Sequence, residues 1–345
     1  MSHGLLSLVI AGLLTAGLVV AALSGPRVLR AAAPMLMRAP RLAVGLLASG
    51  VISWVLTLLA VGPVLAWVIS GPDLLPAGAA QVCQQCLAAA NPFGGPTFDT
   101  GIPVVLLLVV PALAVVLFFA SFAGRVRRRH RATLRSASRF HSAGLRRVVA
   151  GYDVLLVTDR HPFALSLPRR HGGIVVSTGA VDLLAADELR AVLAHEQAHV
   201  RQHHHLIAAL VDALTTHLRW VPLLAAAADA LGHYLEIAAD DHARSEAGTP
   251  ALASALLVLG EAGRGEDGRS EAGRSEAGRG ADAACDAGGV LHALGPDRVR
   301  HLVQPVRGYA GVAATMVGIS SLLALTALAG AVHVPYVMVV LSGCV

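Results

Sequence analysis

Apolar residues gather along this chain in long unbroken runs, separated by connections that carry arginine, glycine or both. Four runs are long enough to cross a bilayer core, which takes about 20 residues of helix. They cover residues 5–23, 42–69, 104–122 and 312–333. Pro63 and Pro111 fall inside two of them, where such breaks are tolerated. The first run could pass for the apolar part of a signal peptide. It lacks an arginine- or lysine-rich start and further spans follow, so an uncleaved span is expected.

Between the third and fourth runs the pattern changes. A basic, helical opening is followed by residues 153–158 and 173–177, which read as short strands bounded by glycine and turn residues. A helix is predicted to start near Asp187 and Glu188, whose charges suit a helix N-terminus. Residues 206–231 are apolar enough to suggest a fifth span, but Asp212, His217, Arg219, Pro222 and Asp229 lie within them. Charges are expensive in lipid, so buried or membrane-skirting helix is expected instead, broken near Pro222. Residues 262–280 are rich in Gly, Arg, Ser and Glu, with Gly-Arg-Ser-Glu-Ala repeated at 268–272 and 273–277. Such a segment cannot bury a core, and a disordered linker over 262–284 is expected.

Composition supports the membrane reading. Of 345 residues 55% are hydrophobic and only 14% charged, where a soluble domain carries about 25%. All 27 basic residues are arginine, and their placement predicts orientation. Arg27, Arg30, Arg38 and Arg41 follow the first run, Arg125, Arg127, Arg128, Arg129 and Arg131 follow the third, and Arg298, Arg300 and Arg307 precede the fourth. The second connection has no arginine and carries Asp73 and Asp99. Positive charge stays in the cytoplasm. Both termini and the second connection are therefore expected outside, and everything from Arg125 to about Arg307 inside. Beside a span and without interleaved aromatics, the 125–131 cluster reads as a lipid and topology anchor, which argues against direct nucleic-acid binding. The fold expected is an α-helical integral membrane protein of four transmembrane helices. A mainly α (α+β) cytoplasmic domain lies between helices 3 and 4. The boundaries are 1–124 for the three-helix region, 125–308 for the domain and 309–345 for the last span and outer tail.

Candidate chemistry centres on His195-Glu196-Gln197-Ala198-His199. Histidines at i and i+4 share one helix face and can converge on a single Zn²⁺, while Glu196 can exchange protons with water there. Leu189, Val192, Leu193 and Val200 place this face on the buried side of an amphipathic helix, where unpaired polar groups would be costly. A zinc hydrolase needs a third protein ligand. Glu236-Ile237-Ala238-Ala239-Asp240 offers one, with Asp240 one turn beyond Glu236; Glu246 and Glu261 are alternatives without such a partner. His203, His204 and His205 are expected to continue the same helix as a solvated or interfacial end, and His242 to be exposed. Cys83 and Cys86 lack a second Cys-x-x-Cys, so a four-thiolate zinc site is not supported, and the pair is left as a disulfide or as free thiols.

HExxH followed by ExxAD resembles the gluzincin membrane proteases: the HtpX-type and CAAX-prenyl-protease-type enzymes and the BlaR/MecR-type antirepressor peptidases. His161-Pro162-Phe163-Ala164, the strand near Gly173, Thr178-Gly179 and Asp187-Glu188-Leu189 resemble the approach to HExxH in those proteins. Trp220-Val221-Pro222-Leu223 and the plan of three spans, domain and fourth span resemble the BlaR/MecR type. The resemblance implies one zinc per chain bound by His195, His199 and Glu236, with Glu196 as general base and Asp240 orienting a ligand histidine. It implies a protein or peptide substrate that adds in extended form along Ile174, Val175, Val176 and Ser177. It implies a bacterial plasma-membrane endopeptidase that cleaves a cytoplasmic regulator, possible substrates including a transcriptional repressor. The alternatives are an HtpX-like quality-control protease and, in another class, a non-hydrolytic signalling protein, against which the intact Glu196 argues. Sensor members carry an outward penicillin-binding domain after the last span, and none is expected beyond Gly343-Cys344-Val345.

Overall fold

The computed structural model describes residues 3–92, 94, 97–168, 173–270 and 310–342. The four apolar runs form α1 (His3–Leu36), α2 (Pro40–Ala66), the first part of α4 (Val104–Ala143) and α10 (Val312–Ser342). All four are long and apolar enough to cross a membrane. The apolar part of α4 turns Leu106, Val110, Leu113, Val116, Leu117 and Phe119 outward, a surface suited to lipid. Gly62 lets α2 cross α4 closely, since a Cβ there would come within 2.2 Å of the Leu107 carbonyl oxygen.

The two ends of the bundle differ. At one end Leu14 of α1, Val64 of α2, Trp67 just after it and Val332 of α10 are buried together. There α2 and α4 are joined through β1 (Ile69–Ser70), α3 (Ala77–Ala90) and β2 (Phe98–Asp99), the two strands pairing in parallel. Cys83 is a free thiol and Cys86 is disulfide-bonded, so the two do not pair with each other. At the other end Leu36 of α1 and Leu47 and Trp54 of α2 share a core with α7 (His204–Thr215) and α8 (Pro222–Ala247). The 12 residues of α7 are too few to cross a bilayer. Pro222 opens α8, where its missing N–H costs nothing, so the break expected near it lies between these two helices.

Beyond this end stands a four-stranded sheet of order β3-β4-β6-β5. Its strands are β3 (Gly144–Val149), β4 (Tyr152–Val157), β5 (Ala164–Ser166) and β6 (Ile174–Ser177). β4 and β6 run parallel, and β3 and β5 flank them antiparallel. Side chains alternate across a strand. Tyr152, Val154, Ile174 and Val176 therefore face α6 (Ala186–Arg201) and α9 (Thr249–Ser270), while Leu155, Val157 and Val175 pack on the opposite side. Ser177 ends β6 and caps the short α5 (Thr178–Leu183), its Oγ accepting from Ala180 N–H at 3.0 Å.

Two expectations change here. Ile174, Val175, Val176 and Ser177 are not an edge: β4 pairs with them on one side and β5 on the other, so their backbone has no free row for a peptide. The edge next to them is the outer side of β5. The expected linker also begins as helix, because α9 continues to Ser270. The remainder of that linker, the second repeat, Cys285, Arg298, Arg300, Arg307 and the last three residues lie outside the described residues.

Candidate metal centre

Helix α6 is fixed at its start by Glu188, whose carboxylate accepts from the Ala185 N–H at 2.8 Å and also meets Ser254 Oγ of α9. Two turns on, His195 is buried, Glu196 is buried beside it and His199 is partly buried. The expected amphipathic packing is therefore present. Helix α8 runs alongside and brings Glu236 and Asp240 to the same place.

The imidazole Nε2 atoms of His195 and His199 lie 3.2 Å apart. Glu236 closes the triangle, with Oε2 3.5 Å from His195 Nε2 and Oε1 3.6 Å from His199 Nε2. Among the described residues, these three form the group able to hold a metal ion. Zinc ligands at about 2.0–2.1 Å in tetrahedral array stand about 3.3 Å apart. The observed edges of 3.2, 3.5 and 3.6 Å straddle that value, so the donor set fits a zinc ion and leaves a fourth position open.

Each histidine is also held from behind. His195 Nδ1 lies 3.0 Å from Asp240 Oδ1, which leaves its Nε2 facing the triangle. His199 Nδ1 lies 2.9 Å from Nδ1 of His204. His204 is nearly as buried as His195, more deeply than the solvated or interfacial helix end expected. Helix α6 stops at Arg201, and His203 takes a left-handed conformation (φ 55°) that turns the chain back so that α7 starts over the site. His205 reaches the sheet instead, 3.2 Å from Ser166 Oγ. His242 is half-buried rather than exposed.

The electrostatics of the two motif histidines diverge. Burial works against a charge on His195, but Asp240 and Glu236 more than offset it and raise its pKa to about 10. His199 has no such surplus: burial, then the neighbouring His195, push its pKa down to about 3. Burial likewise lowers His204 to about 4. Metal binding requires neutral imidazole, so of the two His195 is the one that would have to release a proton to bind an ion. Of the alternative carboxylates, Glu246 is exposed and 3.8 Å from Arg190, and Glu261 is exposed on α9; neither joins the triangle.

Two histidines and a glutamate on crossing helices, with a buried glutamate inside an HExxH turn, have the form of a metallopeptidase centre. Residues 123–259 match the sequence profile of Peptidase family M48, which indicates a zinc metallopeptidase domain over that stretch. No curated protein and no solved structure matches the chain.

Proposed function

We propose that this protein is a membrane-embedded zinc endopeptidase in which His195, His199 and Glu236 hold one zinc ion and Glu196 is the general base. The carrying observation is the triangle of donor atoms, whose edges suit a tetrahedral ion. Zinc held there would supply Lewis acidity toward a peptide carbonyl and make water a better nucleophile at neutral pH. Glu196 takes a proton from the attacking water and delivers it to the amine nitrogen as the C–N bond breaks. Its nearness to the triangle is felt in its field on His195, where it favours the protonated form. Asp240 holds His195 by Nδ1, fixing both ring orientation and tautomer. An extended substrate can pair with the outer edge of β5, whose Ser166 is tied to His205 beside the ligand histidines.

The domain borne between α4 and α10 is assigned to the cytoplasm. The arginines after the first and third spans support this, and so does the disulfide-bonded Cys86 at the opposite end, since disulfides persist on the oxidising side. Residues 1–124, 125–308 and 309–345 then form a three-helix membrane region, the peptidase domain and the final span. A cytoplasmic regulator of repressor type is the substrate assigned, on the strength of the span plan and of Trp220-Val221-Pro222-Leu223 leading into α8. The test is Glu196→Gln in detergent-purified protein. It should keep its zinc and lose hydrolysis of casein or of a co-expressed regulator; substantial residual turnover would remove Glu196 from the chemistry.

A further inference from the structure

The two ligand histidines are supported by different groups. His195 has a carboxylate behind it, as metal-binding histidines commonly do. Behind His199 stands His204, a buried residue from the start of the next helix, with the two Nδ1 atoms 2.9 Å apart. The other ring nitrogen of His204, Nε2, is 3.3 Å from Gln202 Oε1. With the Gln202 amide oxygen turned toward it as acceptor, the hydrogen of His204 is assigned to Nε2. In the neutral ring its Nδ1 is then an acceptor. His199 must accordingly donate from Nδ1, which leaves the lone pair on its Nε2, the atom that faces His195 and Glu236.

We propose that His204 is a positioning residue, serving His199 as Asp240 serves His195: through the relay Gln202–His204–His199 it sets the tautomer and ring angle of the second ligand histidine. The inference rests on the zinc reading above. It also accounts for the helix break. On a continuous helix a residue five positions beyond His199 would point about 140° away from it. The left-handed turn at His203, a conformation that costs energy for a residue with a Cβ, brings His204 back over the ring. A packing role alone would need volume at this position and no acceptor.

Asparagine and leucine have nearly the same shape, and asparagine Oδ1 falls close to where histidine Nδ1 stands. His204→Asn and His204→Leu are therefore compared for zinc affinity by chelator competition and for the visible spectrum of the cobalt-substituted protein. Metal-free melting curves serve as the folding control. His204→Asn should bind zinc within a few-fold of the parent, and His204→Leu about 10–100-fold more weakly with a changed cobalt spectrum. Gln202→Ala should shift affinity in the same direction by less, and it decides the matter should His204→Leu not fold. Parent-like zinc binding in His204→Leu, or equal losses in both His204 variants, overturns the relay while leaving the zinc site standing. No zinc in the parent protein would instead remove the proposed function, and the relay with it.

Discussion

The core beneath the sheet packs Leu193 and Val192 of α6 against Val154, Ile174 and Val176, and α9 closes it from the side. The neighbouring core packs Leu224, Leu231 and Ile237 of α8 against α1 and α2, helices whose other faces are apolar as well. Water drives the first together, whereas lipid is as apolar as leucine and gives the second little beyond packing. The candidate centre lies at the seam between them. His195, Glu196 and His199 come from the sheet-side core and Glu236 from the membrane-side helix, so an ion there would join the two. Only near its C-terminal end, at Ala243, does α8 enter the sheet-side core.

This contrast makes its largest prediction for stability. Leu193→Ala, at a fully buried position under the sheet, should cost about 2–5 kcal/mol, because a transfer term and a cavity term add. Leu47→Ala in α2 should cost clearly less, since lipid-embedded helices lack the transfer term. Thermal unfolding in detergent, followed by circular dichroism, separates the two. Equal losses would mean that the second core behaves like the first.

The next largest effect concerns the seam. Asp240→Ala removes the carboxylate behind His195 and should weaken zinc binding about 10–100-fold, measured by chelator competition. Undiminished affinity would separate α8 from the tautomer of His195.

A smaller effect is expected in the pH dependence of the metal-free protein. The pKa of His195 is raised from 6.5 to about 10, so its contribution to stability is complete below about 6.5 and fades as pH climbs toward 10. His199 and His204 are lowered to about 3 and about 4. The unfolded chain takes up protons that the folded one refuses, so their contribution is full above about 6.5 and is lost as pH falls toward those values. Melting temperature should therefore fall on both sides of roughly neutral pH, and Asp240→Ala should flatten the alkaline side alone. An unchanged alkaline side would contradict the pairing of His195 with Asp240.

Much of this arrangement was legible in the residues. The four apolar runs became the four long helices, because twenty or so consecutive apolar residues have few other uses. His195 and His199 share a face because i, i+4 spacing needs only a helix, whereas the approach of Glu236 depends on how α8 packs against α6. What escaped depended on pairing or on a single backbone angle. β6 reads as a strand from its own residues, but whether it is an edge depends on β5, a three-residue partner with little pattern of its own. β3 carries Arg146 and Arg147 and follows a basic helix, so nothing in its composition marks the change. His204 was hidden by the break at His203, where no glycine or proline announces a turn; histidine is among the residues that enter the left-handed region more readily.

The most direct test of the central claim is zinc stoichiometry in two variants of equal charge change. Purified in detergent, loaded and dialysed, the parent and Glu246→Ala should each retain one zinc per chain, because Glu246 faces Arg190 away from the triangle. Glu236→Ala should retain almost none. Stoichiometric zinc in Glu236→Ala with loss in Glu246→Ala would contradict the site, and with it the seam between the two cores as the seat of the chemistry.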